Sequence, residues 1–301
     1  MSYSLARSRP IYAMSKTNDP ILRVAAGSQV EIETFDCFEN QISSDDSSYD
    51  DMDWNKVNPA TGPVYVEDAA VGDVLVVTID NIELSDQAVM AVSPGKGVLG
   101  DQVDQFEAKI IPIQGGKAIF DENLEIPLNP MIGVIGVAPE GDPVSNGTPG
   151  SHGGNMDNKM ITTGTTLYFP VRTDGALFAL GDLHAAMGDG EVCVTGLEIA
   201  GKVTVSLNVI KQTELTNPVL ETDEYFGTIA SAETLDDAVK MSVSDMAKLL
   251  EDKVGLSFSH LNMLFSAVGQ TQICQVVDPL LTARFLIPKW VLKKYNITSI
   301  V

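Results

Sequence analysis

Three acidic side chains and one of the chain's three histidines lie between glycines in the segment GDLHAAMGDGE, residues 181–191. Asp182 and His184 are two residues apart, and positions i and i+2 of a β-strand face the same side of a sheet. A carboxylate oxygen and an imidazole nitrogen on one side suit a divalent ion such as Zn²⁺. The same spacing suits a hydrogen-bonded Asp–His pair that closes a turn, so both interpretations stay open at this point.

A second polar segment, TPGSHGGNMDNK, places His152, Asn155 and Asp157 in a glycine-rich stretch. Glycine adopts positive φ without strain and lets backbone N–H groups approach a ligand closely. A plain surface loop would have a similar composition. The third histidine, His260, lies between apolar residues of a helical pattern without an acidic neighbour, which indicates a structural or exposed position.

Nucleophilic side chains show weaker patterns than these two segments. The chain contains no G-x-S-x-G elbow that would present a serine to His152 or His184. Cys193 alternates with its neighbours as a core residue does, and Cys37 follows Asp36, whose carboxylate disfavours a thiolate. No P-loop or dinucleotide fingerprint is present either. A water activated by a bound metal ion is the hydrolytic mechanism that remains.

The first two thirds of the chain alternate on the strand period. Apolar or β-branched runs are bounded by Gly, Pro, Asn and Asp in SQVEIETFDC, DVLVVTIDNIEL, AKIIPIQ, TTLYFPVR, ALFALGD and KVTVSLNVI. Helical spacing begins near Ser231, which is the predicted N-cap of a helix that stops at Gly255. A second helix is predicted from Phe258 to Val268, after Ser257 as its cap, and TQICQVVDP then reads as a strand.

These elements predict a β-rich α+β fold, with a β-sandwich-like body of packed sheets and a smaller C-terminal α/β part. The predicted body covers residues 1–228 and carries the site, and a C-terminal appendage covers residues 229–301. The acidic segment at residues 43–55 is typical of a solvated loop, with a lid over the site as the alternative.

Charge and cysteine content exclude several classes of protein. Lys and Arg total 19 against 41 Asp and Glu, and a formal charge of −22 would repel a phosphate backbone, so we expect no nucleic-acid partner. No apolar run reaches the roughly 18 residues that a membrane span needs, and the first twenty residues lack the apolar core of a signal peptide. Three widely spaced cysteines fit a reducing cytoplasm, which is the predicted location.

Four longer segments resemble, in order, those of the acetamidase/formamidase family. They are NPATGPVYVEDAAVGDVLVVTIDNIEL, MIGVIGVAPEG, GSHGGNMDNKMITTGTTLYFPV and GALFALGDLHAAMGDGEVCVTGLEI, and the resemblance extends from about Val30 to the C-terminal IPK. It implies a hydrolase that converts short aliphatic amides to the carboxylate and ammonia, and metal-dependent members of the family are known. Two departures stand out. The tail after residue 288 is short, and Glu39 and Asn40 replace an expected glycine.

With this resemblance, we expect Asp36, Asp182 and His184 to be metal ligands, together with His152. The expected cofactor is a divalent metal, Zn²⁺ first, with Ca²⁺ as a candidate second ion. Such an ion lowers the pKa of a bound water toward about 7 and polarises a carbonyl group.

Proton transfer and substrate binding are assigned to neighbouring residues. Glu191 is the expected proton shuttle to the leaving nitrogen, with Asp189 as the alternative shuttle or as a ligand of the second cation. The predicted substrate-binding residues are Asn155, Gly153, Gly154 and Asp157, and the first three would donate hydrogen bonds to the developing oxyanion.

Two other functions stay open, a hydrolase of another small C–N bond and a non-catalytic β-sandwich that holds Ca²⁺. Histidine in both polar segments disfavours the second, because Ca²⁺ prefers oxygen ligands. The remaining expected partners are a small amide and further copies of the chain in a closed homo-oligomer, a dimer or a multiple of one. We expect no contact with a membrane. Convergence of two loops on one metal, with Leu183 and Met187 nearby, predicts a preference for acyl groups of one to three carbons.

Overall fold

The strand-period segments form one extensive sheet system, which a computed structural model describes over residues 1–301. Eighteen strands are linked by hydrogen bonds into a continuous, mainly antiparallel network, and two further strands pair separately. The twenty strands are β1 (Ser2–Leu5), β2 (Pro10–Ile11), β3 (Ala13–Met14), β4 (Leu22–Ala25), β5 (Ser28–Thr34), β6 (Ala60–Glu67), β7 (Val74–Val92), β8 (Glu107–Gln114), β9 (Lys117–Ile119), β10 (Glu125–Pro127), β11 (Met131–Gly136), β12 (Val144–Ser145), β13 (Gly153–Asn155), β14 (Thr166–Pro170), β15 (Phe178–His184), β16 (Glu198–Ile210), β17 (Val219–Glu221), β18 (Tyr225–Ala232), β19 (Gln270–Gln275) and β20 (Leu281–Pro288). The helices are α1 (Leu235–Leu250), α2 (Phe258–Val268) and α3 (Lys289–Lys293). The predicted β-rich α+β class is confirmed.

Alternation along the strands explains how the body packs. In β5, Val30 and Ile32 are buried while Gln29 is exposed, as a strand with one face on a core requires. β7 is the longest strand and pairs with β8, β14 and β16, with register shifts that bend it along its length. A core of 35 buried apolar residues fills the sandwich-like body.

The strand that carries the 181–191 segment lies inside this body. β15 pairs with β11, β6 and β16, and each of its seven residues is buried. A strand covered on both faces is normally apolar throughout. The two polar residues at its end, Asp182 and His184, are therefore a departure from what packing alone would select.

The C-terminal helices cover one end of the sheet and have their own apolar core. Met246 from α1, Phe265 from α2 and Phe285 from β20 belong to a second buried cluster of 16 residues. The predicted bounds of α2 are confirmed, and the Ser257 hydroxyl accepts a hydrogen bond from the His260 N–H. The predicted start of α1 was wrong, because its N-cap is Thr234 and Ser231 lies in β18.

β18 spans the predicted boundary between residues 228 and 229. It pairs with β17 on one side and with β20 on the other, so the body and the C-terminal part share one sheet. The division into two domains stays a prediction. None of the helices is long and apolar enough to cross a membrane, and Cys37, Cys193 and Cys274 are free thiols.

Candidate active site

His184 is the centre of a buried group of four carboxylates. Its Nε2 atom lies 3.2 Å from Glu198 Oε2, 3.5 Å from Asp182 Oδ1, 3.8 Å from Glu191 Oε1 and 3.9 Å from Asp157 Oδ1. All five residues are buried. We call this set, with its histidine, the carboxylate cluster.

Strand register explains how two of these side chains meet. His184 and Glu198 are directly paired across the antiparallel ladder of β15 and β16, which brings their side chains together. Across β11, a Cβ atom at Gly133 would overlap the carboxylates of both Asp182 and Asp157. A glycine at this position is therefore necessary for these two side chains to converge.

Three acids of the cluster have left-handed backbone conformations. The φ angles are 41° at Asp157, 55° at Asp182 and 47° at Glu191. Residues other than glycine rarely adopt positive φ, and such residues concentrate at functional sites. The backbone is thus held in a less favourable conformation at the positions that direct these carboxylates toward His184.

Several buried polar atoms of the cluster have no hydrogen-bond partners. These atoms are both ring nitrogens of His184, both carboxylate oxygens of Asp157, Asp182 Oδ1 and Glu198 Oε2. Asn155 Oδ1 and Asp278 Oδ2, which border the same space, are also unpaired. Buried polar groups are nearly always satisfied, and several unpaired carboxylates together need a cation or protons.

The pKa values of the cluster show how strongly the charges interact. Burial, aided by the Asp182 carboxylate, raises the pKa of Asp157 to about 7. Burial also raises the pKa of Glu198 to about 8, although His184 opposes this shift. Burial alone would lower the pKa of His184, but the carboxylates of Glu198 and Asp182 raise it well above its usual value.

The donor atoms fall into two groups that could each hold a metal ion. One group is Asp157, His184 and Glu191, and the other is Cys37, Asp182 and Glu198, with the donor atoms of each group within 4.8 Å of one another. Donors at about 2.0–2.2 Å from one Zn²⁺ in tetrahedral geometry lie roughly 3.3 Å apart. The distances of 3.2–3.9 Å around His184 Nε2 are close to this value.

A family comparison places this arrangement among known proteins. The sequence pattern of the acetamidase/formamidase family matches residues 17–148 and 144–293, which together include every residue of the carboxylate cluster. The chain belongs to the acetamidase/formamidase family. The resemblance noted in the sequence is therefore confirmed.

Solved structures of the same family share the whole fold. A recombinant predicted acetamidase/formamidase from the thermophile Thermoanaerobacter tengcongensis is 53% identical, with a TM-score of 0.97 over 99% of each chain. An acetamidase from Bacillus halodurans is 47% identical, with a TM-score of 0.96 over 98% of this chain and 100% of the other.

A formamidase from Methylophilus methylotrophus is more distant, at 27% identity over 64% of this chain and 61% of its own length. The chain matches only about three fifths of the length of the curated relatives.

Two of the expected metal ligands, Asp36 and His152, belong to neither of the two donor groups. Asp36 Oδ1 accepts hydrogen bonds from the backbone N–H groups of Phe38 and Asn40, and burial raises the Asp36 pKa to about 6. Its carboxylate closes a tight turn in which Glu39 and Asn40 have φ angles of 56° and 59°. A glycine would adopt these angles without strain, which explains why one is expected there.

His152 is the second of these. It is buried without an acidic contact, its Nε2 is unpaired, and burial lowers its pKa to about 4. Asp182 and His184 lie together in the carboxylate cluster, whereas Asp36 and His152 belong to neither donor group, and their assignment as metal ligands stays a prediction.

The expected proton-transfer and substrate-binding residues also separate. Glu191 belongs to the carboxylate cluster, whereas the Asp189 carboxylate forms ion pairs with Arg284 and Lys159. Asn155 borders the cavity beside the cluster, and Asp157 is one of its donors.

Gly153 and Gly154 lie in β13, paired with β11. The Gly153 N–H already donates to the Gly150 carbonyl.

Three residues at the site were missed by the sequence analysis. Glu198 interrupts the apolar run GLEIAG, and a lone acid in such a run was the available signal. Cys37 was set aside because of Asp36, yet its thiol is in a donor group, and burial raises its pKa well above the usual value. Asp278 borders the site from the segment between β19 and β20, and its sequence context gave no signal.

A cavity of about 290 Å³ opens above the cluster. Its apolar wall includes Phe38, Trp54 and Phe106, and the Trp54 and Phe106 rings are 6.3 Å apart, nearly perpendicular. The 43–55 segment thus contributes Trp54 to the cavity wall. Leu183 lies in the main core, and Met187 borders a different cavity, so neither narrows this space.

Proposed function

We propose that this member of the acetamidase/formamidase family is a metal-dependent hydrolase that cleaves short aliphatic amides, such as acetamide and formamide, to a carboxylate and ammonia. Family membership supports hydrolysis of the C–N bond of a linear amide. The observation that carries the metal dependence is the set of buried, unpaired donor atoms around His184. Carboxylates in this number without a hydrogen-bonded partner are what an ion site requires.

The residues that would hold the ion are Asp157, Asp182, His184 and Glu198 of the carboxylate cluster, with Cys37 beside Asp182 and Glu198. Imidazole and carboxylate donors suit Zn²⁺, and the excess of carboxylates leaves a second, harder ion such as Ca²⁺ as a further proposal. A divalent ion bound there would supply a Lewis acid and lower the pKa of a bound water to about 7. Asp36 and His152, which belong to neither donor group, are the remaining candidates for ligands.

The chain's own side chains would handle the amide and its protons. Asn155 borders the cavity, and its side-chain amide would donate a hydrogen bond to the carbonyl oxygen as negative charge develops there. Glu191 would take a proton from the attacking water on its carboxylate and deliver it to the amide nitrogen, because ammonia leaves only when that nitrogen is protonated. Asp278 borders the same space but belongs to neither donor group, which makes it a second candidate for this transfer.

The size of the cavity also leaves room for one alternative substrate class, cyclic amides. About 290 Å³ lies near the lower end of the range of pockets that bind drug-sized ligands, and its wall is partly aromatic. A hydrolase of another small C–N bond, such as a cyclic amide, would use this room. The same carboxylate cluster would serve both reactions.

Ammonia release from a panel of amides, with and without a chelator, tests the proposal. We expect freshly purified protein to turn over formamide, acetamide and propionamide and to contain bound metal by elemental analysis. We expect the chelator to abolish this activity and added Zn²⁺ to restore it. Turnover that persists after complete metal removal would overturn the metal dependence. Cleavage of a cyclic amide without cleavage of acetamide would favour the alternative.

We also propose that the protein acts as a closed homo-oligomer, a dimer or a multiple of one. Exposed strand edges need covering, and association of copies is a common solution. The negative charge of −22 supports the absence of a nucleic-acid partner, and free cysteines support a cytoplasmic location. Light scattering at micromolar concentration tests the assembly, and a monomer would contradict it.

A further inference from the structure

Arg284 is a buried cation outside the carboxylate cluster, with only 1% of its surface exposed. It lies in β20, between β18 and β19. Its guanidinium donates through Nε to Gln272 Oε1 at 2.8 Å, and through Nη2 to both oxygens of Asp189 at 2.8 and 2.9 Å. A buried charge with this many partners is ordered in one position, because guanidinium donors have fixed directions.

The same guanidinium also reaches a second loop of the site. Arg284 Nη1 donates to the side-chain oxygen of Asn158 at 2.9 Å, and Asn158 is fully buried. Asn158 directly follows Asp157, and Asp189 lies two residues before Glu191. One side chain therefore ties together the two segments that bring Asp157 and Glu191 to His184.

Backbone hydrogen bonds attach one of these segments to the same part of the sheet. The Gly190 N–H donates to the Cys274 carbonyl at 2.8 Å, and the Val276 N–H donates to the Gly190 carbonyl at 3.2 Å. The loop that carries Glu191 is thus held by β19 through its backbone and by β20 through Arg284. The C-terminal part of the chain fixes the position of a loop from the body.

We infer that Arg284 is a positioning residue, which sets the spacing of Asp157 and Glu191 around His184 and so determines how tightly the site binds a metal ion. This inference rests on the proposed function, because it takes the carboxylate cluster as the metal site. Groups that orient ligands from behind commonly change metal affinity by about 10- to 100-fold. If the role of Arg284 were purely structural, its loss would lower the melting temperature and leave the metal affinity of the folded protein unchanged.

Lys159 provides a matched control for Arg284. Its Nζ lies 2.9 Å from Asp189 Oδ2, so it contacts the same carboxylate, but its side chain is 37% exposed. Exposed ion pairs contribute about 0–1 kcal/mol, which corresponds to at most about fivefold in an equilibrium constant. Loss of Lys159 removes a cation beside the Asp189 carboxylate but leaves the hydrogen bond between Arg284 and Asn158 in place.

The test compares Arg284→Met, Arg284→Lys and Lys159→Met with the wild-type protein. Zn²⁺ affinity is measured by competition with a chromogenic chelator, and melting temperature is measured on the same samples. We expect Arg284→Met to bind Zn²⁺ about 10- to 100-fold more weakly. We expect Arg284→Lys to fall between, because Lys keeps the charge but not the fork, and Lys159→Met to stay within about fivefold. An Arg284→Met protein that melts lower but keeps wild-type Zn²⁺ affinity would overturn the inference.

Two milder variants keep the test decisive if Arg284→Met does not fold. Asn158→Ala removes one of the two contacts that Arg284 makes to the loops, and Asp189→Asn removes the charge from the other. Because both act through Arg284, their combined effect on Zn²⁺ affinity should be smaller than the product of the single effects. Independent effects that multiply in the double variant would overturn the inference.

Hydrogen exchange separates this inference from the proposed function. Wild-type protein that binds no Zn²⁺ would defeat the metal dependence, and exchange at residues 156–160 and 188–191 would then decide the positioning role. We expect faster exchange in both segments of the Arg284→Lys protein, and not in Lys159→Met. Unchanged exchange in either segment would overturn it.

Discussion

Glu191 and Asp189 are two residues apart in one loop, yet their carboxylates lie in opposite surroundings. Asp189 is held by the cations of Arg284 and Lys159. Glu191 faces Asp157, Glu198 and His184, and burial raises its pKa well above the usual value. The compensated carboxylate stabilises a loop, whereas the uncompensated one is available to an ion or a proton. We therefore compare the carboxylate cluster with the region around Arg284, which we call the arginine network.

Removal of His184 should have the largest effect on metal binding and turnover. His184→Ala deletes the only nitrogen donor of the cluster, so we expect loss of most of the bound metal and of nearly all amide turnover. Elemental analysis and ammonia release measure the two effects. A variant with full metal content and wild-type turnover would show that the cluster is not the site.

Neutralisation of the two neighbouring acids should give unequal effects. Glu191→Gln should lower turnover by roughly 10²–10⁴-fold if Glu191 transfers the proton. Asp189→Asn at saturating metal should lower it by less than about tenfold, because Asp189 acts only through the arginine network. The measurement is kcat with metal content determined in parallel.

Metal content decides the meaning of the Glu191 result. Normal metal with low turnover supports proton transfer, whereas parallel loss of both would make Glu191 a ligand. Equal losses of turnover in the two variants would remove the distinction between the cluster and the network.

Substrate length should give the smallest effect, because it depends on the cavity wall and not on either charged region. Each methylene buried against Phe38 or Phe106 gains about 0.8 kcal/mol, which is about fourfold in kcat/KM. Contact with the wall then reverses the trend, and we expect the optimum at one to three carbons. Phe106→Ala should move it to longer amides. Efficient cleavage of benzamide by the wild-type protein, without cleavage of acetamide, would contradict this.

The fold was largely predictable because strand alternation and helix caps are local signals. The run SQVEIET alternates as β5 does, and Ser257 marks the start of α2. The site was only partly predictable, because its members meet through register. Asp182 and His184 share one strand, but the pairing of Glu198 with His184 follows from how β15 and β16 align. No spacing along the sequence encodes that alignment.

Asp278 and Arg284 were harder still, because they approach from the C-terminal part of the chain. Their positions depend on β19 and β20 lying beside the loop at Gly190. The assignment of His152 as a ligand stays a prediction. Its glycine-rich, polar setting favoured a ligand, but the structure places its ring in a buried space without an acidic contact.

The left-handed backbone at Asp182 has a consequence for evolution and for engineering. At φ of 55°, glycine would relieve strain that a side chain creates, so selection for folding alone would not retain an aspartate there. If the carboxylate cluster is the active site, as we propose, catalytic ability and thermal tolerance oppose each other at this residue. We expect an Asp182→Gly protein to survive heating better than its metal-free parent, so a screen for heat resistance alone would select against this aspartate.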